Sequence, residues 1–375
     1  MIVEPAWDVV VVGGGPAGLS AAHAAATAGA RTLVLERAEH PRYKTCGGGL
    51  LGSSLALSAP LIDVPARDTI NAITFTRDGR RSFTRHASGR PVLTLVRRDE
   101  FDLAWSKAAT AAGATVRQNS QVRAVSENDQ AVTVTLADGE EITARVVIGA
   151  DGSAGITSRH VGVTLDQQDL GLEVELAATD ADRATWRGRV LLDWGAFPGS
   201  YGWVFPKDDE LTVGVIMAKG NGADTKRYLH DFVHRLGLDA REVRRDSGHL
   251  TRCRRPDSPL RKGHVLVTGD AAGLLEPWTR EGISYALRSG AWAGQAAATG
   301  DLDAYERRVA AELAPEMAAG RRLLGAFSRH PAIVHLTMGT PLGWRAFETF
   351  CRGELSMASV IRRRGIRALL TLFGA

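Results

Sequence analysis

The sequence predicts a mixed α/β fold, in which a domain with a parallel sheet is interleaved along the chain with an antiparallel-sheet domain. An N-terminal strand–helix–strand unit and two later buried strands that end in glycine and aspartate predict the parallel sheet. Alternating, aromatic-bearing segments between residues 160 and 255 predict the antiparallel sheet. With 375 residues, 44% of them hydrophobic and 23% charged, the chain is long enough to bury such a core.

The N-terminal unit, residues 8–37, reads "DVVVVGGGPAGLSAAHAAATAGARTLVLER". Gly13, Gly15 and Gly18 have the G-x-G-x-x-G spacing, which permits a tight turn, close approach of a pyrophosphate and packing of the helix on the strand. Glu36 follows at the interval at which a carboxylate meets ribose hydroxyls. The unit therefore predicts a Rossmann-like domain that binds a dinucleotide containing adenosine.

Composition restricts the other function classes. A net charge of +4 over this length does not indicate nucleic-acid binding. Cys46, Cys253 and Cys351 are far apart, which excludes a disulfide framework or a Cys-x-x-Cys zinc site and favours the reducing cytoplasm. No metal site is predicted. The apolar residues 6–30 lack a basic flank and carry phased glycines, so they are interpreted as strand, turn and helix rather than as a membrane span.

Two further stretches carry an acid at a strand end. "ARVVIGADGSAGITSR" contains Asp151 and Gly152, and "GHVLVTGDAAGLLEPWTREGISYALRSG" contains Asp270. Either stretch alone is compatible with an ordinary turn, since Asp-Gly is common in turns. Together with the N-terminal unit they resemble the p-hydroxybenzoate-hydroxylase-like group of FAD proteins over nearly the whole chain. The resemblance implies FAD, with the stretches holding adenosine, the flavin with the pyrophosphate, and the ribityl chain.

That resemblance also implies individual roles. Glu36 would bind the adenosine ribose, Arg98 would approach the pyrophosphate, Val122 would meet the adenine edge through its backbone, and Asp270 would bind the ribityl chain. The complete set of implied cofactor-binding residues is Gly13, Gly15, Gly18, Glu36, Arg37, Gly48, Arg98, Val122, Asp151, Gly152, Asp270, Gly273 and Gly282.

Two of these assignments have a structural alternative. Asp99 and Asp102 have the pattern of an N-cap and its capping-box partner, which would leave Arg98 as a surface residue before a helix through Ala112. The helix that begins near Gly282 would point its positive end at the flavin and stabilise negative charge there, and it is equally typical of an amphipathic helix packed on the sheet.

The antiparallel segments concentrate aromatic residues in a chain that is only 6% aromatic. "YGWVFPKDDELTVGVIMA" predicts a hairpin with "KDDE" as its turn, and residues 70–94 alternate similarly. The aromatic side chains either fill the core of this sheet or line an apolar substrate cavity. On the second interpretation the substrate-binding candidates are Trp194, Tyr201, Trp203, Phe205 and Trp278.

These patterns predict discontinuous domains. The predicted FAD-binding domain comprises residues 1–65, 95–160 and 256–312, the antiparallel-sheet substrate domain comprises residues 66–94 and 161–255, and a C-terminal helical segment covers residues 313–375.

A narrower resemblance rests on "CGGGL" from Cys46, on "YGWVFPKDDELTVGV" and on the stretch around Asp270. Together they resemble the geranylgeranyl reductase family, FAD enzymes that saturate isoprenoid double bonds. The resemblance implies that the cysteine–glycine loop lies over the flavin and that the aromatic hairpin lines a lipid cavity. The chain departs from the family at Arg280, where the family often has glycine, and a bulky cation beside the flavin would alter substrate choice.

The implied function is an FAD-dependent reductase of carbon–carbon double bonds in an isoprenoid or other long apolar substrate, with NAD(P)H or another reductant as electron donor. The alternatives are a flavin monooxygenase, a halogenase, or an FAD-binding lipid carrier without chemistry. Tyr201 begins a stretch, "YGWVFP", that lies where halogenases carry Trp-x-Trp-x-Ile-Pro, but the first Trp and the Ile are absent.

Cys46 is the catalytic candidate. Saturation of an alkene needs a hydride on one carbon and a proton on the other, and an ordinary thiol is protonated at neutral pH. Neighbouring glycines allow the loop to lie against a flat ring. The alternative is a small buried hydrophobic residue beside a turn, as most free cysteines are.

The C-terminal sequence "IRRRGIRALLTLFGA" mixes arginine with leucine and phenylalanine. Such a segment either lies on an anionic membrane surface or packs on the protein as a solvated helix. For a prenyl-lipid substrate, a peripheral membrane contact would be useful.

Overall fold

The computed structural model describes residues 5–195, 197–220 and 222–363, which form three sheets with flanking helices. The strands are β1 (Trp7–Val12), β2 (Thr32–Leu35), β3 (Gly49–Leu50), β4 (Ala66–Ile70), β5 (Ala72–Arg77), β6 (Arg80–His86), β7 (Leu93–Val96), β8 (Thr115–Arg117), β9 (Val122–Glu127), β10 (Val132–Leu136), β11 (Glu141–Gly149), β12 (Leu165–Ala177), β13 (Arg189–Trp194), β14 (Tyr201–Lys207), β15 (Glu210–Ala218), β16 (Val243–Arg254), β17 (Arg261–Lys262) and β18 (Val265–Val267).

The helices surround these sheets and account for most of the chain after residue 282. They are α1 (Pro16–Thr27), α2 (Gly52–Ser58), α3 (Arg98–Ala111), α4 (Thr157–Val161), α5 (Asp180–Trp186), α6 (Gly222–Arg235), α7 (Ile283–Thr299), α8 (Leu302–Glu312), α9 (Ala314–Arg329), α10 (Pro331–Met338), α11 (Pro341–Cys351) and α12 (Met357–Ile361), with a 3-10 turn at Gly269–Ala272.

The first sheet has the order β17-β18-β11-β1-β2-β8, with β9 and β10 attached to β11. β1 pairs in parallel with β2 and with β11, and β18 continues the parallel order beyond β11. Val9, Val10 and Val11 are fully buried, as expected of a central strand that is covered on both faces. The predicted α/β fold class is confirmed.

The second sheet is antiparallel apart from one pair and has the order β16-β12-β15-β14-β13-β5-β6. β14 and β15 form the predicted hairpin, with Asp208 at a φ of 58° in its turn. β5 joins this sheet by pairing in parallel with β13. The alternating region before Arg98 is nevertheless divided, because β4 and β7 form a separate small sheet with β3.

α1 and α7 pack backbone to backbone because glycines replace larger residues at their interface. A Cβ on Gly290 would lie 2.2 Å from the carbonyl oxygen of Ala17, and one on Gly294 would lie 2.1 Å from that of Ala21. The alanine-rich composition of α1 thus has a packing role. Close contact with α1 therefore fixes the position of α7, the helix that the third glycine-marked stretch leads into.

The C-terminal helices cover the antiparallel sheet. Phe327, Trp344 and Phe347 pack with Phe75 and Trp194 in one hydrophobic cluster. Residues 364–375, which include two of the four arginines in the segment expected to contact a membrane, lie outside the described residues. Among the helices of the described part, none is long and apolar enough to cross a membrane.

We expect Gly294→Ala to lower the free energy of unfolding by about 1–3 kcal/mol, since the added methyl group meets a backbone oxygen that cannot move alone. Urea unfolding in excess FAD measures this change. Gly222→Ala is the control, because a Cβ there has no neighbour within 4 Å. Equal stability of the two variants would show that the α1–α7 interface accommodates the methyl group without a loss of unfolding free energy.

Candidate active site

The N-terminal glycine turn has the geometry of a phosphate-binding loop. Gly13 has a φ of 109°, and a Cβ on it would lie 2.3 Å from the carbonyl oxygen of Ala150. A Cβ on Gly18 would lie 1.9 Å from the oxygen of Gly13. At Gly15, by contrast, the nearest atom is Nη2 of Arg42 at 3.8 Å. The loop thus has no room for a side chain at Gly13 and Gly18, but it is open at Gly15, just before α1. An open backbone at the start of a helix fits a pyrophosphate.

Glu36 directly follows β2 and lies against the glycine loop. Its Oε2 accepts a hydrogen bond of 2.7 Å from the Gly14 amide, and its Oε1 accepts one of 3.0 Å from the Ala38 amide. Nδ1 of the neighbouring His40 is buried and has no hydrogen-bond partner among the residues described. This unpaired nitrogen fits a polar ligand bound on the Glu36 side of the loop.

Two predicted cofactor contacts flank this region with different exposure. Val122 begins β9, and its side chain is buried. The expected contact with the adenine edge involves only its backbone. Arg37 directs an exposed side chain outward from the end of β2. Both assignments stay predictions.

A buried carboxylate, Asp102, joins two arginines beside the loop. Arg98 donates to it through Nε and Nη2 at 3.0 and 2.9 Å, and Arg42 donates through Nη1 at 3.1 Å. Arg42 also donates to the carbonyl oxygen of Gly14 at 3.0 Å. Asp102 has 0% exposure, so its charge is compensated entirely by these partners.

This arrangement corrects the expected helix cap. α3 begins at Arg98 with Arg97 as its N-cap, and no side-chain cap bond occurs there in the described structure. The predicted capping roles of Asp99 and Asp102 are therefore wrong. Arg42 is the residue that sequence reasoning missed; its partner Asp102 is 60 positions away, so no local pattern could have identified it.

The second glycine-marked stretch uses its acid internally. The carboxylate of Asp151 accepts hydrogen bonds from the amides of Ile156 and Thr157, at 2.7 and 3.1 Å, and so holds the start of α4. Gly152 has a φ of 76°, and a Cβ on it would have no neighbour within 4 Å. The backbone at Gly152 is thus the more accessible part of this stretch.

The third stretch places Asp270 in the 3-10 turn after β18. Its Oδ2 lies 3.3 Å from Nε2 of His249 on β16, a contact between the two sheets that the sequence did not suggest. Gly273 ends the turn with a φ of 65°, and a Cβ on it would lie 2.7 Å from the Arg254 amide nitrogen. A Cβ on Gly282 would lie 3.6 Å from Oδ1 of Asp270, so the start of α7 does reach Asp270.

The positive end of α7, which the sequence predicts to point at the flavin, is partly occupied by a side chain of the protein itself. Oε1 of Glu281 accepts a hydrogen bond of 2.7 Å from the Ser284 amide and one of 3.1 Å from the Ser54 hydroxyl. Burial raises the pKa of Glu281. The Glu281 carboxyl group therefore takes up part of the positive helix dipole that would otherwise act on a bound flavin.

The cysteine loop (residues 46–48) joins the antiparallel sheet to the small sheet that β3, β4 and β7 form. The Cys46 amide donates to Oε1 of Glu173 on β12 at 2.7 Å, and the Gly48 amide donates to Sγ of Cys46 at 3.4 Å. Gly48 has a φ of 72°, and a Cβ on it would lie 2.1 Å from the Val96 carbonyl oxygen. Only glycine fits there.

Two basic side chains, Arg98 and Lys44, lie near the thiol of Cys46. Burial lowers the pKa of Arg98, but Asp102 and the nearby Cys46 thiol outweigh burial and leave that pKa raised. Burial lowers the pKa of Lys44, with Arg98 adding to this effect while Asp270 and Cys46 oppose it. The sulfur thus lies near an amide donor and two basic side chains.

The aromatic hairpin (residues 201–218) packs on this loop. A Cβ on Gly47 would lie 3.0 Å from the Phe205 ring and 3.3 Å from Nε1 of Trp203. Tyr201 and Trp203 have ring centroids 5.9 Å apart, and the Tyr201 hydroxyl donates to the Thr279 carbonyl at 2.5 Å. The indole nitrogen of Trp203 is buried without a partner within the described residues. Cysteine loop, hairpin and third stretch therefore meet at one place.

The other two substrate-binding candidates pack against Phe327 of α9. Trp194 is buried and stacks on Phe75 at 5.6 Å between ring centroids, with Phe327 at 5.2 Å. Trp278 is partly buried against the same Phe327 at 6.2 Å. Trp194 thus fills the core of the sheet, whereas Trp203 lies at its contact with the cysteine loop.

Arg280 is not a free cation. Its side chain is 3% exposed and forms an ion pair of 3.2 Å with Asp169, which is 2% exposed, and it also donates to the Trp278 carbonyl at 2.7 Å. Its φ of 57° is the backbone conformation that glycine adopts most readily. Arg280 and Asp169 therefore form a buried ion pair beside the Tyr201 ring, and the effect of Arg280 on substrate choice stays a prediction.

Comparison with known proteins agrees with this geometry. A family model described as "FAD binding domain" matches residues 6–294. A geranylgeranyl diphosphate reductase of Rhodobacter capsulatus is 32% identical over 308 residues, which are 78% of this chain and 75% of that protein. A menaquinone reductase of Mycobacterium tuberculosis is 30% identical over 334 residues, 80% of this chain and 79% of that protein.

Solved structures share the fold at lower identity. A geranylgeranyl bacteriochlorophyll reductase-like protein of Thermoplasma acidophilum has a TM-score of 0.76 at 21% identity and covers 98% of this chain and 99% of its own. A flavin-dependent brominase has a TM-score of 0.74 at 19% identity and covers 97% and 98%. At these identities the likeness concerns the fold alone.

We expect Arg42→Ala to raise the dissociation constant of FAD about tenfold or more, because a charge-assisted hydrogen bond is worth about 1.5–3 kcal/mol. Titration of the apoprotein, followed by flavin fluorescence, measures this change. Arg159→Ala removes an exposed arginine on α4 and is the control. Unchanged FAD affinity in Arg42→Ala would remove Arg42 from the cofactor site.

Glu173 allows a test by pH. It is 2% exposed, and burial raises its pKa, so its contribution to stability is present at low pH and is lost as the pH rises through the folded-state pKa. Glu173→Gln keeps an acceptor for the Cys46 amide without the charge, and should be more stable than the parent near about pH 8. This gain should shrink as the pH falls toward 4.5, the ordinary glutamate value.

Glu173→Ala is the matched variant, because it leaves the Cys46 amide without its acceptor. We expect it to be about 1–3 kcal/mol less stable than Glu173→Gln at either pH. Denaturant unfolding of the three proteins at both pH values gives these differences. A gain in Glu173→Gln that grows at low pH would contradict the raised pKa.

Proposed function

Because the chain belongs to the geranylgeranyl reductase family of FAD-dependent oxidoreductases, we propose that it saturates carbon–carbon double bonds in an isoprenoid or other long apolar substrate. The observation that carries this proposal is the packing of the cysteine loop on Trp203 and Phe205. It brings a proton-bearing side chain against an apolar wall, and alkene reduction requires that combination.

Bound FAD would supply the hydride for one alkene carbon. Cys46 would give its proton to the other carbon, and the C–H bond would form as the S–H bond breaks. The resulting thiolate lies beside the Gly48 amide, at 3.4 Å from Sγ, and near Arg98 and Lys44. These donors stabilise the anion until water returns the proton.

The apolar wall would bind the polyprenyl part of the substrate. Trp203, Phe205 and Tyr201 present ring surface around the cysteine loop, and they have no charge that a hydrocarbon chain would have to desolvate. The two curated relatives carry the names of different substrates, a geranylgeranyl diphosphate and a menaquinone. Recognition of the hydrocarbon chain rather than of one head group is consistent with both.

Each reduced double bond consumes two electrons, which a second substrate must return to the flavin. We propose NAD(P)H or another two-electron reductant for this role. The alternative reactions of this fold, halogenation and monooxygenation, use oxygen, so anaerobic turnover separates them from the reductase. Tyr201 occupies the position of the first tryptophan in the halogenase motif, and its hydroxyl donates a hydrogen bond to the Thr279 carbonyl. This difference from the halogenase motif favours the reductase.

The test is anaerobic reoxidation of the pre-reduced enzyme by a panel of prenyl compounds, with mass spectrometry of the products. We expect Cys46→Ala to slow this reoxidation about a hundredfold, the usual effect of removing a positioned acid, with FAD content and reduction by dithionite unchanged. Cys351→Ala is the control, since Cys351 is buried on α11. A rate within about threefold of the parent would leave Cys46 as packing.

The same assay decides between enzyme and lipid carrier. A carrier would bind the prenyl compound without reoxidising the flavin, and its product mass would equal that of the starting compound. A gain of hydrogen in the product without oxygen would exclude both the carrier and the oxygen-using reactions.

A further inference from the structure

The C-terminal helices carry a cluster of exposed apolar side chains. Large hydrophobic residues with high exposure in the described chain are Leu61, Val243, Ile333, Leu336 and Leu342. Three of these five lie between residues 333 and 342, on α10 and at the start of α11, and form what we call the α10–α11 face. Leu336 is 63% and Leu342 is 81% exposed. Single exposed leucines are ordinary, but a cluster of them indicates an interaction site.

The opposite side of these helices faces the candidate active site. Met338, Trp344 and Phe347 are buried in the hydrophobic cluster against which Tyr201 and Phe205 also pack. One hydrophobic cluster thus extends from the buried side of α10 and α11 to the aromatic hairpin.

The charge around the α10–α11 face is positive. Residues 329–347 contain two arginines and no aspartate or glutamate. Arg345 is exposed and follows Leu342 by three positions, which places both on the same side of α11. The exposed Arg81 of β6 is adjacent, since its carbonyl lies 2.8 Å from Nε2 of His335 on α10.

The nearest following acid does not offset this charge. Glu348 is buried, and its carboxylate pairs with Arg352 and accepts hydrogen bonds from Ser88. Exposed leucines surrounded by arginines, without a free carboxylate in the same stretch, are complementary to anionic lipid head groups above acyl chains.

We propose that the α10–α11 face docks on an anionic lipid surface, with Leu336 and Leu342 entering the head-group boundary and Arg345 contacting the phosphates. The proposal rests on the proposed function, because a prenyl substrate resides in such a surface. It is independent of residues 364–375, whose basic sequence suggested a membrane contact, since the described helices alone supply the apolar and basic groups.

The test is cosedimentation of the FAD-loaded full chain with vesicles of phosphatidylcholine, alone or with about 30% phosphatidylglycerol. We expect preferential binding to the anionic vesicles that weakens as salt is raised. Leu336→Ser with Leu342→Ser should lower the partition coefficient at least about tenfold, since each removes a leucine from the boundary. Arg345→Glu should lower it about tenfold on anionic vesicles only.

Leu61→Ser with Val243→Ser is the matched control, because it removes two exposed apolar side chains elsewhere and should leave partitioning unchanged. Hydrogen exchange of the parent protein gives a second readout that needs no variant: amides of α10 and α11 should exchange more slowly with anionic vesicles. Equal binding of all variants, or no preference for anionic vesicles, would overturn the proposal.

Two further measurements separate this proposal from its alternatives. Sedimentation velocity without lipid tests whether a second copy of the chain covers the face, and a dimer that dissociates in the leucine variant would contradict lipid docking. Turnover of a detergent-dispersed prenyl compound tests the proposed function alone. Anionic vesicle binding without such turnover would retain the docking face and reject the reductase assignment.

Discussion

The close approach of backbones around the N-terminal turn is the constraint on which the rest of the structure depends. Gly13, Gly18 and Gly294 have no side chains at the points where a Cβ would lie within 2.3 Å of another residue's carbonyl oxygen. The same packing extends to the third stretch, since a Cβ on Gly269 would lie 2.8 Å from Cβ of Ala17. Backbone contact therefore sets the position of α1 relative to Asp270 before any side chain of the site is considered.

The cysteine loop takes its position from the antiparallel sheet and from the small sheet of β3, β4 and β7. Gly48 packs on the Val96 carbonyl, while the Cys46 amide is bonded to Glu173 on the antiparallel sheet. Burying a carboxylate costs free energy unless hydrogen bonds compensate it. The bond to the Cys46 amide is one of these compensating bonds, so Glu173 of the antiparallel sheet helps to fix the position of Cys46.

Sequence reasoning succeeded where the signal is local and failed where it is not. The glycine spacing before α1 and the turn at Asp208 are patterns of a few residues, and both occur as predicted. The pairs Arg42–Asp102, Cys46–Glu173 and Asp169–Arg280 span 60, 127 and 111 positions. Charge complementarity over such distances has no sequence period, so only the fold could reveal it.

Alternation likewise predicted strands but not what their side chains meet. Trp194 and Trp203 both occur in alternating segments, and their strands β13 and β14 are neighbours. Trp194 meets Phe327 of α9, whereas Trp203 meets the cysteine loop. The helix and the loop lie far away in sequence, which is why composition could not distinguish a core residue from a residue of the candidate site.

The ion pair of Arg280 with Asp169 places a buried arginine at the candidate site without adding net charge. A left-handed backbone costs a residue other than glycine about 1–2 kcal/mol, but an unpaired buried Asp169 would cost about 3–5 kcal/mol. Arginine at this position is therefore favoured as long as Asp169 is present, and the two residues form a coupled pair. Because Arg280 also bonds to the Trp278 carbonyl and lies 5.7 Å from the Tyr201 ring centroid, the pair acts on the apolar wall by fixing its shape.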